Sequence, residues 1–127
     1  MPFVSKLVTE EGYDEKGKVL DKLVQPLVFK SEWYKRVFVV PEGFRTNYAS
    51  VPWYVRPFFP KMKKHRAASA FHDYLYDKSN PYGDISRERA DELFLEAMLS
   101  SGVSRWVAKL FYKGVRAGGA SRYKKHD

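Results

Sequence analysis

The sequence predicts an α+β fold, a small N-terminal antiparallel β-sheet or set of hairpins followed by three helices. Three observations point to it. Between Pro26 and Pro41 the chain is rich in β-branched and aromatic residues, broken by the polar run Lys30-Ser31-Glu32. From Lys64 onward apolar residues recur at helical spacing in three blocks, separated by Pro81, Gly83 and Gly102. Strands gathered first and helices gathered afterwards belong to α+β rather than alternating α/β architectures. The 127 residues suit one domain with a real core. It divides into a β-rich part over 1–46, a helical part over 64–119 and a basic tail over 120–127.

In chain order, Glu10 to Gly17 sets two glycines among charges and reads as a turn between short strands. Leu27 to Lys30 and Tyr34 to Val40 form a hairpin, bracketed by prolines that no central strand accommodates. Pro41-Glu42-Gly43 turns the chain into an extended stretch from Phe44 to Pro52, and the prolines at 52, 57 and 60 exclude a regular helix there. The first helix is expected over 64–76, its inner face formed by Ala68, Phe71, His72, Leu75 and Tyr76. Ser86 is placed to cap a second helix from Arg87 to Ser100, with Ala90, Phe94, Ala97 and Met98 inward and Asp91 beside them. A third helix follows Ser104 to about Arg116, with Val107, Ala108, Leu110, Phe111 and Val115 expected inward.

The composition narrows the function classes. There is no cysteine, so the fold holds without disulfides. No apolar run approaches the roughly eighteen residues of a membrane span, and Met1 to Lys6 lacks the apolar centre of a signal peptide. A cytosolic protein is the expectation. The net charge of +8 attracts polyanions or anionic membrane, or simply keeps the protein in solution.

The chemistry concentrates around His72. An imidazole on a buried helix face needs specific partners for its two nitrogens. Asp91, on the facing helix, is within reach if the two helices pack side by side. A carboxylate on one ring nitrogen fixes the tautomer and leaves the other to act as a base near neutral pH. The competing reading is a structural His-Asp pair. Asp73, about 100° further round the helix, is either an oxygen ligand for a cation or a solvent-facing aspartate. The upstream loop 46–50 could supply the remaining oxygens. Arg116 reads as a cation favoured by the dipole at a helix C-terminus, with a carboxylate needed if it is buried. His65 and His126 lack zinc-ligand spacing with His72, and neither a phosphate loop nor a nucleophile elbow is present.

Trp53, Tyr54, Arg56, Phe58, Phe59, Lys61, Lys63 and Lys64 mix aromatics with cations. Such a mixture seats a protein on an anionic phospholipid surface, docks it to another protein, or folds its aromatics inward. Nucleic acid is the poorer partner, because no recognition motif is present.

Four blocks then appear in a fixed order: Phe44-x-Thr46-Asn47-x-Ala49-Ser50-Val51-Pro52; His72-Asp73-x-Leu75-Tyr76; Ala90-Asp91-x-x-Phe94; and Tyr112-x-x-Val115-Arg116-x-x-Gly119. Over about residues 38–119 they resemble a phage-encoded family of unknown function. More remotely they resemble the small secreted phospholipases A2 of bacteria and fungi. That second resemblance implies a phospholipase A2-like helical half. In it His72 is the base that activates water, Asp91 orients it, and Tyr76 steadies the pair. Calcium is held by Asp73, Asn47 and the backbone carbonyl of Tyr48, and polarises the ester carbonyl. Asn47 stands where those enzymes carry an aspartate, so a charge is lost and calcium affinity should fall. Their cysteines are absent too. The expectation is a calcium-assisted phospholipid hydrolase in the host cytoplasm or the phage virion. The alternative is a non-enzymatic virion, tail or host-interaction protein that keeps the scaffold.

Overall fold

The computed structural model describes residues 3–48, 51 and 63–118 of the chain. It is an α+β fold: small antiparallel sheets come first and three helices follow. The strands are β1 (Thr9–Glu10), β2 (Asp21–Leu23), β3 (Leu27–Ser31), β4 (Arg36–Val40) and β5 (Arg45–Thr46), and the helices α1 (Lys63–Tyr76), α2 (Arg87–Ser100) and α3 (Arg105–Gly118).

The expected hairpin is β3 and β4, paired in register from Leu27 opposite Val40 to Ser31 opposite Arg36. Its alternation is that of a sheet with one face covered. Leu27, Phe29, Ser31, Phe38 and Val40 are buried, while Val37 and Val39 face out. The remaining strands form a second sheet in the order β1-β2-β5. In it Asp21 pairs with Thr46 and Lys22 with Arg45, both antiparallel. Gly12 lies on the approach to this sheet, where a Cβ would stand 2.7 Å from the Leu20 carbonyl oxygen. No other residue fits so close a backbone approach.

Helix α1 lays its apolar face against the hairpin. Phe71 is the hub, with ring centroids 4.8 Å from Phe29, 5.7 Å from Phe38 and 6.2 Å from Phe3. The other face of α1 meets α2, and α2 meets α3. Both ends of α2 follow its sequence. The Ser86 side chain accepts from the Arg89 amide at 3.2 Å. At the other end, Val103 N donates to Met98 O and Gly102 N to Leu99 O, with Gly102 at φ 91°. That is the left-handed glycine stop that satisfies a helix's last carbonyls.

All five residues expected on the inner face of α1 are buried, as are Ala90, Asp91, Phe94, Ala97 and Met98 of α2. In α3 one expectation fails. Ala108, Phe111 and Val115 are buried and Val107 partly so, but Leu110 is 37% exposed. Helical spacing puts Leu110 beside Trp106, one turn earlier, and outside the arc of Phe111 and Val115 that faces α2. Among the described residues no helix is long and apolar enough to cross a membrane.

Candidate functional site

His72 and Asp91 meet between α1 and α2. Nε2 of His72 lies 2.7 Å from Oδ1 of Asp91, and both side chains are fully buried. The Tyr76 hydroxyl, one turn along α1 from His72, donates to the same Oδ1 at 2.6 Å. On the other side of the carboxylate, Arg116 Nη1 donates to Oδ2 at 2.8 Å, and Arg87 Nη1 stands 3.9 Å from that oxygen. One carboxylate thus gathers groups from all three helices. The His72 ring is also stacked on Phe94, centroids 4.5 Å apart, and tilted against Tyr76 at 4.3 Å.

The charge state follows from these partners. Burial pushes the Asp91 carboxyl up, but the hydrogen bonds and charges of His72, Tyr76 and Arg116 outweigh it and hold the group below its ordinary 3.8. Asp91 is therefore a carboxylate, which only accepts, so Nε2 carries a proton and donates it. Burial and the hydrogen bond to Asp91 push the Tyr76 phenol up, keeping its proton in place. The hydrogen bond to Asp91 likewise raises the Arg116 guanidinium.

A second set of contacts reaches Asp73 from the sheet. Thr46, at the end of β5, donates from Oγ1 to Asp73 Oδ2 at 2.5 Å, and accepts from the Tyr48 amide at 3.1 Å. Tyr48 holds φ at 54°, a sparsely populated conformation for an aromatic residue. Its hydroxyl donates to Asp21 Oδ2 at 3.0 Å and its carbonyl accepts from Val51 N at 3.1 Å. Burial, then the charge and hydrogen bond of Asp21, push the Tyr48 phenol up to about 12.

Of the residues singled out from sequence, His72, Asp91 and Tyr76 come together at one point. Asp73 meets the loop of Asn47 and Tyr48 through Thr46. Trp53, Tyr54, Arg56, Phe58, Phe59 and Lys61 lie outside the described residues. Lys63 and Lys64 are exposed on the first turn of α1.

The reading of Arg116 as a dipole-favoured terminal cation is incomplete, because it is an ion-pair partner of Asp91. Arg87 and Asp21 were missed as supporting residues, while Thr46 was read only as part of the oxygen-bearing loop. Arg87 stands four residues before Asp91, a visible i,i+4 pair, and it also donates to the Val115 and Arg116 carbonyls at the end of α3. Asp21 left no such sign, since its partner is 27 residues away.

In kind, the Asp73 carboxylate, the Asn47 amide oxygen and the Tyr48 carbonyl are oxygens that a hard cation takes, and Thr46 ties Asp73 to this loop. With a single carboxylate the set favours weak binding. Among the described residues, no group of three or more His, Cys, Asp or Glu could hold a metal.

Fold and site define an α+β protein in which a sheet-capped helical trio encloses a His-Asp-Tyr-Arg cluster. Residues 22–115 match the family model described as a protein of unknown function, DUF1353. The match covers most of the chain, which belongs to that family. No curated protein and no solved structure matches it.

Proposed function

We propose that this DUF1353 protein is a phage-encoded ester hydrolase with a phospholipase A2-like helical half, acting on phospholipid with calcium assistance. The observation that carries the reading is the 2.7 Å contact between His72 Nε2 and Asp91 Oδ1, shared with the Tyr76 hydroxyl. In this reading His72 is the base that activates a water, and its contact with Asp91 orients the ring. Asp91 stabilises the imidazolium that forms, and Arg116 and Tyr76 keep the carboxylate from turning away. Asp73, Asn47 and the Tyr48 carbonyl are the residues to hold calcium. When bound, calcium supplies Lewis-acid polarisation of the ester carbonyl. Thr46, bonded to both Asp73 and the Tyr48 amide, holds that loop against α1.

The test is fatty-acid release from anionic vesicles, with calcium and with chelator. Release that needs millimolar calcium and disappears in His72→Gln is expected. Asn47→Asp restores a carboxylate to the exposed loop and should lower the calcium required by about tenfold, within the range that ligand charge tunes. Absence of release from the unmodified protein sinks the reading, and so does release that survives His72→Gln.

One observation favours the alternative, a non-enzymatic virion, tail or host-interaction protein. His72 and Asp91 are both 0% exposed, which suits a cluster that locks three helices together as well as one that does chemistry. Under that reading His72→Gln lowers thermal stability, and the protein co-purifies with particles or a host partner without releasing fatty acid.

A further inference from the structure

We infer that the outer face of α3 is a docking surface for an anionic lipid bilayer. Seen down the helix, its exposed arc is divided lengthwise. Arg105, Lys109 and Lys113 follow one another at spacings of four and form an exposed cationic stripe. Trp106, Leu110 and Ala117 form an apolar stripe immediately beside it. Trp106 is 72% exposed, the most exposed of the large hydrophobic residues described, and Leu110 is 37% exposed. The helix contains no acidic residue over Arg105–Gly118.

Neither stripe serves the fold. Helix α3 is already anchored on its inner face by Ala108, Phe111 and Val115. Apart from Arg116, which reaches in to Asp91, the cations have no ion-pair partner among the described residues. Trp106 and Leu110 stand one turn apart in water, an apolar ridge beside the cations that a suitable partner would cover. The charge specifies which partner. A helix lying flat at a membrane surface meets phosphates and acyl chains at two depths. It needs cations on long stems beside an apolar ridge with a tryptophan. A nucleic acid backbone rewards the cations and leaves Leu110 in water. This surface does not depend on the chemistry proposed above, because binding is measurable on lipids that cannot be hydrolysed.

The experiment uses vesicles of ether-linked lipids, either all zwitterionic or with an anionic fraction, and the full chain. Sedimentation should bring the protein down with anionic vesicles and leave it in solution with zwitterionic ones. In a Trp33→Phe, Trp53→Phe background the remaining tryptophan is Trp106, and bromine-labelled lipid should quench its fluorescence. Trp106→Ser with Leu110→Ser, and separately Lys109→Gln with Lys113→Gln, should each weaken binding at least about tenfold, the cationic pair at a rate of roughly fivefold per charge. All four positions are outside the core, so melting temperatures should stay near that of the unmodified protein and exclude misfolding as the cause. Equal binding to both vesicle types, binding unchanged in either double variant, or no binding at all overturns the proposal. Fatty-acid release from ester vesicles that fails while this binding persists refutes the hydrolase alone.

Discussion

The carboxylate of Asp91 is the residue on which the candidate site turns. It is completely buried and accepts from His72, Tyr76 and Arg116 at 2.7, 2.6 and 2.8 Å. Removing the charge from such a cluster leaves Arg116 facing a donor, and breaking one partner out of a buried ion pair costs about 3–5 kcal/mol. Asp91→Asn should therefore lower stability by roughly 3 kcal/mol at neutral pH in denaturant unfolding. The pH dependence has a definite sign. The folded-state pKa of Asp91 is below its ordinary 3.8, so the unfolded chain takes up the proton first. Its contribution is complete above the unfolded value and is lost as pH falls through the lower folded one. Acid titration of the melting temperature should show a limb beginning near pH 4 that flattens in Asp91→Asn. Parallel limbs in the two proteins would show that Asp91 is not held ionised. His72 and Tyr76 were legible from sequence because helical periodicity puts them inward, and Asp91 because it falls beside the inward stripe of α2. Arg116 was only half legible, because its partner depends on how α3 lies against α2.

Among the elements, the most specific tie is between α2 and the turn of the hairpin. Glu96 is buried and accepts from Ser31 Oγ at 2.7 Å, the Glu32 amide at 2.8 Å and the Trp33 amide at 3.1 Å. One turn earlier, Glu92 accepts from the Tyr34 hydroxyl. The Glu32 and Trp33 amides of the turn are satisfied by Glu96, and Lys35 sits in the same turn at φ 53°. Hydrogen bonds to a charged group contribute about 1.5–3 kcal/mol each, less the desolvation of Glu96. Glu96→Ala should cost roughly 2–3 kcal/mol. It should also raise hydrogen exchange at the Glu32 and Trp33 amides well before the core of β3 and β4 is affected. Exchange that accelerates uniformly along the hairpin would mean that Glu96 supports only global stability. The strands and helices themselves could be read from alternation and period, but this tie could not. Glutamates four residues apart on a helix look like ordinary solvated charges until the hairpin is known to lie over them.

For the whole molecule, three phenols sit at the joints between elements. Tyr34 joins the hairpin to α2, Tyr48 joins the β5 loop to β2 through Asp21, and Tyr76 joins α1 to α2. That arrangement was hidden in the sequence. Strands of two and three residues carry too little alternation to announce β1, β2 and β5, and the pairing of Asp21 with Thr46 closes a long loop. The misplacement of Leu110 has the same origin, since period shows which residues share a face but not how wide a face the neighbours cover. The joints imply a common alkaline limit. Burial first, and then the neighbouring carboxylate, raises all three phenols, with Tyr34 and Tyr48 at about 12 and Tyr76 raised further. For a group whose folded pKa is raised, stability is complete below the unfolded value near 10 and lost as pH climbs through the folded one. The fold should thus weaken from pH 10 upward and open cooperatively as pH passes through about 12. Phenolate absorbance should show a late group of tyrosines, Tyr34, Tyr48 and Tyr76 among them, ionising together with the loss of helical circular dichroism. Tyr48→Phe should remove one phenol from the later group and make the alkaline limb shallower, even though it leaves Asp21 without its donor and lowers stability at neutral pH. A late ionisation that runs to completion with the helices intact would show that these phenols do not hold the elements together.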